Sequence, residues 1–88
     1  MKICICDDDS FFIEEIENRL SSFCTEEVFD ISRFSSAEEL LRCSKSGESF
    51  DIVFIDIEMK GTNGIEAAEK IREISPETII IFVSIRLR

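Results

Sequence analysis

Residues 50–64, FDIVFIDIEMKGTNG, contain the pattern that decides the fold. Residues 52–55 form a continuous apolar run, which is typical of a strand covered on both faces of a sheet. The run ends in an acid, Asp56, and the polar segment that follows contains Gly61. A helical repeat of apolar residues begins after Gly64. This stretch therefore predicts a buried strand, an acid at its carboxyl end, a loop and a helix.

The same succession of strand and helix extends along the chain in both directions. Residues 3–6 and 78–83 are apolar runs, and residues 28–34 alternate between apolar and polar as a strand at a sheet edge does. The predicted helices begin after Asp9 or Ser10, with Phe12, Ile13, Ile16, Leu20 and Phe23 on one face; after Ser36, in a capping box, ending at about Cys43; and after Gly64, with Ile65, Ala68, Ile71 and Ile74 on one face, ending before Pro76. The alternation predicts an α/β fold with a parallel sheet and helices on both faces.

The length and amino-acid composition of the chain exclude several classes of function. The 88 residues suffice for one small domain, residues 1–88, and the net charge of -9 without His argues against a nucleic-acid surface. No apolar run is long enough for a membrane span or a signal peptide, so we expect a cytoplasmic protein that does not bind membranes. The four Cys form no CxxC pair, and we expect buried, reduced thiols rather than disulfides or metal ligands.

Polar side chains follow directly after three of the predicted strands. Asp7 and Asp8 follow the first strand, Asp56 the third and Ser84 the fourth. Ligands bind at the carboxyl ends of parallel strands, and the three acids converge if the first and third strands are neighbours. Carboxylates so close to one another cannot all stay ionised unless a cation neutralises them or one of them is protonated. Mg2+ is the hard cation that fits oxygen ligands. Taken alone, each acid could equally be a helix or loop cap.

The motifs together resemble the receiver domains of bacterial response regulators. The segment of residues 50–66 looks like the phosphoacceptor segment of that family, residues 6–8 like its acidic pair, and residues 80–84 like its fourth strand with a terminal hydroxyl. Residues 34–41 and 64–68 are most similar to regulators with a LytTR-type DNA-binding output domain. The resemblance implies a flavodoxin-like, doubly wound parallel sheet with strand order 2-1-3-4 and three helices.

The resemblance also implies a role for each site residue. Asp56 would take a phosphoryl group from a sensor histidine kinase, and Asp8 would bind Mg2+ directly. Asp7 would act mainly through water, and the backbone carbonyl of Glu58 would be a further ligand. Ser84 would hydrogen-bond the phosphoryl oxygen and shift when Asp56 is phosphorylated. The chain would be a regulatory phosphoacceptor rather than an enzyme with an external substrate.

The family pattern continues with a fifth strand, which ends in Lys, and two more helices, none of which has a counterpart here. The resemblance therefore implies an incomplete receiver whose fourth strand is an open apolar edge, and we expect a homodimer or larger oligomer through that edge. Two alternatives stay open. One is a phosphorylation-independent interaction module that works by dimerising. The other is a Mg2+-dependent phosphohydrolase that uses Asp56 and Glu58, although its usual downstream acids have no place in this chain.

Overall fold

The computed structural model describes residues 1–23, 29–59, 61 and 63–83. Its elements are β1 (Lys2–Cys6), α1 (Ser10–Phe23), β2 (Asp30–Phe34), α2 (Ala37–Lys45), β3 (Ile52–Asp56), α3 (Gly64–Ile74) and β4 (Ile79–Val83). The four strands are all parallel and lie in the order β2-β1-β3-β4. The predicted α/β architecture, strand order and helix number are confirmed.

Side chains that precede each helix accept hydrogen bonds from its first turn, as helix caps do. The capping bonds run from Phe11 N–H to Asp9 Oδ1 (3.0 Å), from Glu39 N–H to Ser36 Oγ (3.2 Å) and from Glu66 N–H to Asn63 Oδ1 (2.9 Å). The predicted caps at Asp9 and Ser36 are therefore present. The cap at Asn63 was not predicted, and it fixes the start of α3 directly after the loop that follows β3.

Two apolar clusters lie on opposite faces of the sheet. The larger cluster lies between the sheet and helices α2 and α3, and its buried members are Cys4, Cys6, Ala37, Leu40, Leu41, Phe50, Val53, Ile55, Met59, Ala67 and Ile71. The smaller one lies under α1, and its buried members are Ile3, Ile5 and Ile13. One face is thus covered by two helices and the other by a single helix.

The apolar faces predicted for two helices are partly wrong. Phe23, at the end of α1, is 84% exposed although it lies on the predicted apolar face. In α3, Ile65 and Ile74 are exposed, while Ala67, Ala68 and Ile71 are buried. The reason is that α3 packs against α2 as well as the sheet, so its buried stripe turns toward the angle between them.

The predictions for the strand ends and for the Cys need smaller corrections. Strand β2 begins at Asp30, and residue 28 lies outside the described residues. Cys4 and Cys6 are free and buried as expected, whereas Cys43 is free but only partly buried. Cys24 lies outside the described residues. Within the described ranges, no helix is both long and apolar enough to cross a membrane.

Candidate functional site

Three carboxylates meet at the carboxyl edge of the two central strands. Asp7 and Asp8 follow β1 directly, and Asp56 is the last residue of β3. Because β1 pairs with β3 in a register that sets Cys6 beside Ile55, the residues after these strands lie next to each other. One carboxylate oxygen from each acid lies within 4.8 Å of the others. The predicted convergence of Asp7, Asp8 and Asp56 is therefore what the structure contains.

Backbone hydrogen bonds orient the two buried carboxylates of this cluster. Asp7 and Asp56 are 0% and 1% exposed, whereas Asp8 is exposed. Asp7 Oδ1 accepts from Asp9 N–H at 2.9 Å, and Asp56 Oδ1 accepts from Glu58 N–H at 3.0 Å. The second oxygen of each of these carboxylates, Oδ2, is also buried. The cluster therefore consists of two buried carboxylates with fixed orientations and one carboxylate that is exposed to solvent.

The cluster fits a hard divalent cation by the chemistry of its donors. All three side chains supply oxygen, and carboxylates at this spacing repel one another unless a positive charge lies between them. A cation such as Mg2+ keeps several waters and uses only one or two carboxylates directly. An arrangement with one exposed and two buried carboxylates leaves room for those waters on the side of Asp8.

The thiol of Cys6 lies beside the acidic cluster and has a raised pKa. Burial, first, and then the charges of Asp7 and Glu39 raise the pKa of Cys6 to about 12. Its Sγ contacts the Ser36 carbonyl oxygen at 3.4 Å and Met59 Sδ at 3.7 Å. The thiol therefore stays protonated at neutral pH and serves as packing beneath the acids.

A glycine sets the position of the carboxyl end of β3. A Cβ atom added at Gly64 would lie 2.2 Å from the backbone oxygen of Asp56 and 2.9 Å from the Cα of Ile57. Only a residue without a side chain lets α3 approach the strand so closely. The sequence predicted a turn role for Gly64; the close approach to Asp56 is an additional reason that the sequence alone does not reveal.

Described residues between β3 and α3 lie against the larger cluster, α2 and β4. Met59 is buried in the larger cluster, and Gly61 adopts a positive φ of 81° beside α2, where an added Cβ would lie 3.2 Å from Glu38 Oε2. On its other side the strand end is tied to β4, because Ile57 N–H donates to the Val83 carbonyl oxygen at 3.3 Å. Ser84, the fourth residue predicted for this site, lies outside the described residues.

With this geometry in view, comparisons with known proteins identify the family. The family described as the response regulator receiver domain matches residues 3–87. The chain belongs to the response regulator receiver domain family. Receiver domains are regulatory domains of two-component signalling proteins, and they bind Mg2+ at an acidic cluster.

Solved structures agree with this assignment. The chain is similar to a response regulator receiver protein from Sinorhizobium medicae WSM419, with 27% identity and a TM-score of 0.82 over 96% of this chain and 65% of that one. It is also similar to the response regulator protein TrrA from Thermotoga maritima, solved in complex with Mg2+-BeF. There the identity is 31% and the TM-score 0.79, over 94% of this chain and 68% of that one.

A curated relative is much longer than this chain. It is a protein-glutamate methylesterase/protein-glutamine glutaminase from Vibrio parahaemolyticus serotype O3:K6 (strain RIMD 2210633), 31% identical over 85 residues. The match spans 97% of this chain but 22% of that protein. The shared part is the receiver, which is a regulatory part of the longer protein.

Proposed function

We propose that this chain accepts a phosphoryl group on Asp56 from a sensor histidine kinase, with Mg2+ bound among the three acids. The observation that carries the proposal is the convergence of Asp7, Asp8 and Asp56 within 4.8 Å, in a chain of the receiver family. The complex of the similar TrrA protein with Mg2+-BeF supports a metal of this kind.

The reaction needs few groups from the protein. A carboxylate oxygen of Asp56 attacks phosphorus, a new O–P bond forms, and the bond from phosphorus to the donor's leaving group breaks. The backbone N–H of Glu58 holds the other carboxylate oxygen and so fixes the direction of attack. When bound, Mg2+ screens the negative charges of nucleophile and phosphoryl group. Asp8 would bind the ion directly, Asp7 through water, and Glu58 through its backbone carbonyl.

The remaining details are proposals of the same kind. We propose that Ser84 hydrogen-bonds the phosphoryl group, that residues 1–88 act as one receiver unit in the cytoplasm, and that the output resembles that of LytTR-type regulators. The negative charge of the chain, -9, supports a role without direct nucleic-acid contact. The phosphohydrolase alternative is weaker, because receiver domains are regulatory.

A second candidate function is favoured by one observation. Strand β4 exposes apolar side chains at the edge of the sheet, as expected for a module that works by association through its fourth strand. Such a module would form a homodimer or larger oligomer whether or not Asp56 is phosphorylated. The two functions are compatible, and they are separated by measuring phosphorylation and association on the same protein.

Intact-mass spectrometry after incubation with Mg2+ and acetyl phosphate tests the phosphoacceptor proposal. We expect one phosphoryl adduct on the wild-type chain and none on Asp56→Asn, because the amide is not a nucleophile toward phosphorus. The fold of Asp56→Asn should persist or gain slightly in stability, since one of three like charges is removed. Asp30→Asn is the matched control: Asp30 is exposed at the opposite end of the sheet, and this variant should form the adduct normally.

Dependence on the metal sharpens the same experiment. Asp8→Ala should require a much higher Mg2+ concentration for the same adduct yield, and a chelator should abolish the adduct in the wild type. A folded wild-type chain that forms no adduct, or an Asp56→Asn variant that forms as much as the wild type, would refute the proposal.

A further inference from the structure

Two sulfur side chains pack against each other directly beside the acidic cluster. Cys6 immediately precedes Asp7 in the chain, and Met59 immediately follows Glu58. Both are buried members of the larger apolar cluster, and Cys6 Sγ lies 3.7 Å from Met59 Sδ. The contact therefore joins the end of β1 to the loop that follows β3.

This sulfur contact lies beyond the point where the two strands pair. The last residue pair between β1 and β3 is Cys6 with Ile55, and Met59 comes later in the chain, in the loop. The strand pairing therefore stops before the loop. The buried side chain of Met59 adds a link between this loop and β1.

The Cys6 thiol also contacts the start of α2. Its Sγ lies 3.4 Å from the carbonyl oxygen of Ser36, the residue that caps this helix. A thiol carries one proton, so it donates to either Ser36 or Met59 at one time, and the remaining contact is one of packing. Because protein interiors are close-packed, a smaller side chain at Cys6 or Met59 must leave a void or move one of the elements that meet here.

The loop places two backbone groups at the acidic cluster. Glu58 N–H donates to Asp56 Oδ1 at 3.0 Å, and the Glu58 carbonyl is the proposed backbone ligand of the ion. That carbonyl belongs to the planar peptide group that joins Glu58 to Met59. The hydrogen bond restrains Glu58, and the buried side chain restrains the Cα of Met59. The orientation of the peptide group between them therefore depends on where Met59 packs.

An ion such as Mg2+ is sensitive to the orientation of its ligands. It demands near-octahedral geometry with oxygen ligands at about 2.1 Å, so a displaced carbonyl binds it more weakly. Carboxylate, carbonyl and water oxygens suit this ion, whereas thiol and thioether sulfur suit softer metals. The two sulfur atoms therefore act on the site through the backbone groups beside them, as groups that orient metal ligands do.

We propose that Cys6 and Met59 are positioning residues for the metal site. Their contact holds the peptide group between Glu58 and Met59 against the end of β1. The Glu58 carbonyl then keeps a fixed position relative to the carboxylates of Asp7 and Asp8. The inference rests on the proposed binding of Mg2+ among the acids, and it assigns a role in that binding to two residues of the apolar core.

Titration with MgCl2, followed by the amide chemical shifts in NMR spectra, tests the inference. Met59→Ala and Cys6→Ala should each raise the dissociation constant for Mg2+ at least about tenfold. The double variant should bind about as weakly as either single variant, because both changes remove the same contact. Met59→Leu keeps the volume of the side chain and should bind within about threefold of the wild type.

Cys4→Ala is the matched control for Cys6→Ala. Cys4 lies on the same strand and in the same apolar cluster, is equally buried, and is farther along β1 from the acids. The variant removes the same atom from the same core, so it should lower the stability without changing the dissociation constant for Mg2+. All titrations are made at a temperature at which circular dichroism finds every variant folded.

Amide hydrogen exchange of the metal-free protein gives a second readout. In Met59→Ala, the Glu58 amide, which donates to Asp56, should exchange at least about tenfold faster than in the wild type, because the loop opens more readily. The Asp9 amide, which donates to Asp7 Oδ1 on the other side of the site, should exchange at an unchanged rate.

Three results would overturn the inference while the wild type binds Mg2+. They are equal Mg2+ binding by the wild type, Met59→Ala and Cys6→Ala; an equal loss of binding in Cys4→Ala; and an unchanged exchange rate of the Glu58 amide in Met59→Ala. A wild type that binds no Mg2+ would refute the proposed metal site and this inference together. A wild type that binds Mg2+ but forms no phosphoryl adduct would refute only the phosphoacceptor proposal.

Discussion

Strands β3 and β4 are neighbours with nearly the same composition and very different environments. Both are five residues long, IVFID and IIIFV, and they pair with each other in parallel. In β3, Val53 and Ile55 are 0% exposed, whereas most of β4 is partly or largely exposed. The difference arises because, in the part of the chain that the structure describes, β3 has a strand on each side and β4 has a strand on one side. Burial is therefore set by neighbours in the sheet, and the side chains alone do not determine it.

The contrast also separates two kinds of task. The buried strand ends in Asp56, and its neighbours hold that carboxylate in place. The exposed strand ends beside the same site, since Val83 accepts a hydrogen bond from Ile57, and among the described residues no strand pairs with its outer side. The proposed phosphoryl transfer would take place at the centre of the sheet, and the proposed association at its edge. Pairs of identical changes in the two strands can test this division.

The largest effect is expected from Ile→Ala at matched positions. Ile55→Ala removes fully buried methyl groups and should lower the free energy of unfolding by about 2–5 kcal/mol. Ile81→Ala should cost about 1 kcal/mol or less in the monomer, because water already reaches much of that side chain. Urea unfolding followed by circular dichroism measures both.

Association must be separated from folding in that measurement. Unfolding at two protein concentrations does so, since only a dimer gains stability as the concentration rises. Equal costs for Ile55→Ala and Ile81→Ala at the lower concentration would mean that β4 is as well buried as β3. The comparison between the strands would then be wrong.

The sequence predicted the identity of the elements better than their surroundings. The apolar runs of β1, β3 and β4 and the cap at Ser36 are local patterns, so seven elements and their order could be read directly. The exposure of Ile65 and Ile74 depends on the contact between α2 and α3. Such contacts join residues far apart in sequence, and no local period encodes them.

The candidate site shows the same limit. The meeting of Asp7, Asp8 and Asp56 was predictable, because acids at the carboxyl ends of adjacent parallel strands must lie close together. The close approach of Gly64 to the Asp56 backbone was not, since it depends on the final distance between α3 and β3. The sequence does contain a glycine where α3 begins, which is consistent with a close approach of the backbone. A turn at that position would have explained the glycine equally well.

A smaller effect is expected from adding one methyl group at Gly64. In Gly64→Ala, the new Cβ would overlap the Asp56 backbone oxygen, which cannot move aside as a flexible side chain could. We expect a loss of about 1–3 kcal/mol in the free energy of unfolding, together with weaker Mg2+ binding, because the strand end carrying Asp56 must shift.

Gly47→Ala is the matched control for this change. Gly47 has a positive φ of 106° and nothing within 4 Å of an added Cβ, so its substitution strains the backbone without a clash. It should cost about 1 kcal/mol and leave Mg2+ binding unchanged. If Gly64→Ala bound Mg2+ like the wild type, the packing of α3 against β3 would have no role in placing the acid.

The smallest effect concerns β1, the third apolar strand, and appears only at alkaline pH. Burial is the main cause that raises the pKa of the Cys4 thiol well above its ordinary value of 9.0. In the folded chain the thiol stays neutral, while in the unfolded chain it ionises above about pH 9. The stability that this neutral thiol contributes is fully present below that pH and is lost as the pH rises. At pH 10 the loss should be roughly 1 kcal/mol.

Urea unfolding of the wild type and of Cys4→Ala at pH 8 and pH 10 measures this loss. Cys4→Ala should lose less stability between the two pH values than the wild type does, although it starts lower because of the small cavity that it creates. Cys43→Ala, at a thiol that is only partly buried, should lose as much as the wild type. If Cys4→Ala and the wild type lost the same amount, water would reach the Cys4 thiol in the folded chain. The centre of the sheet would then differ less from its β4 edge than the burial of β1 and β3 implies.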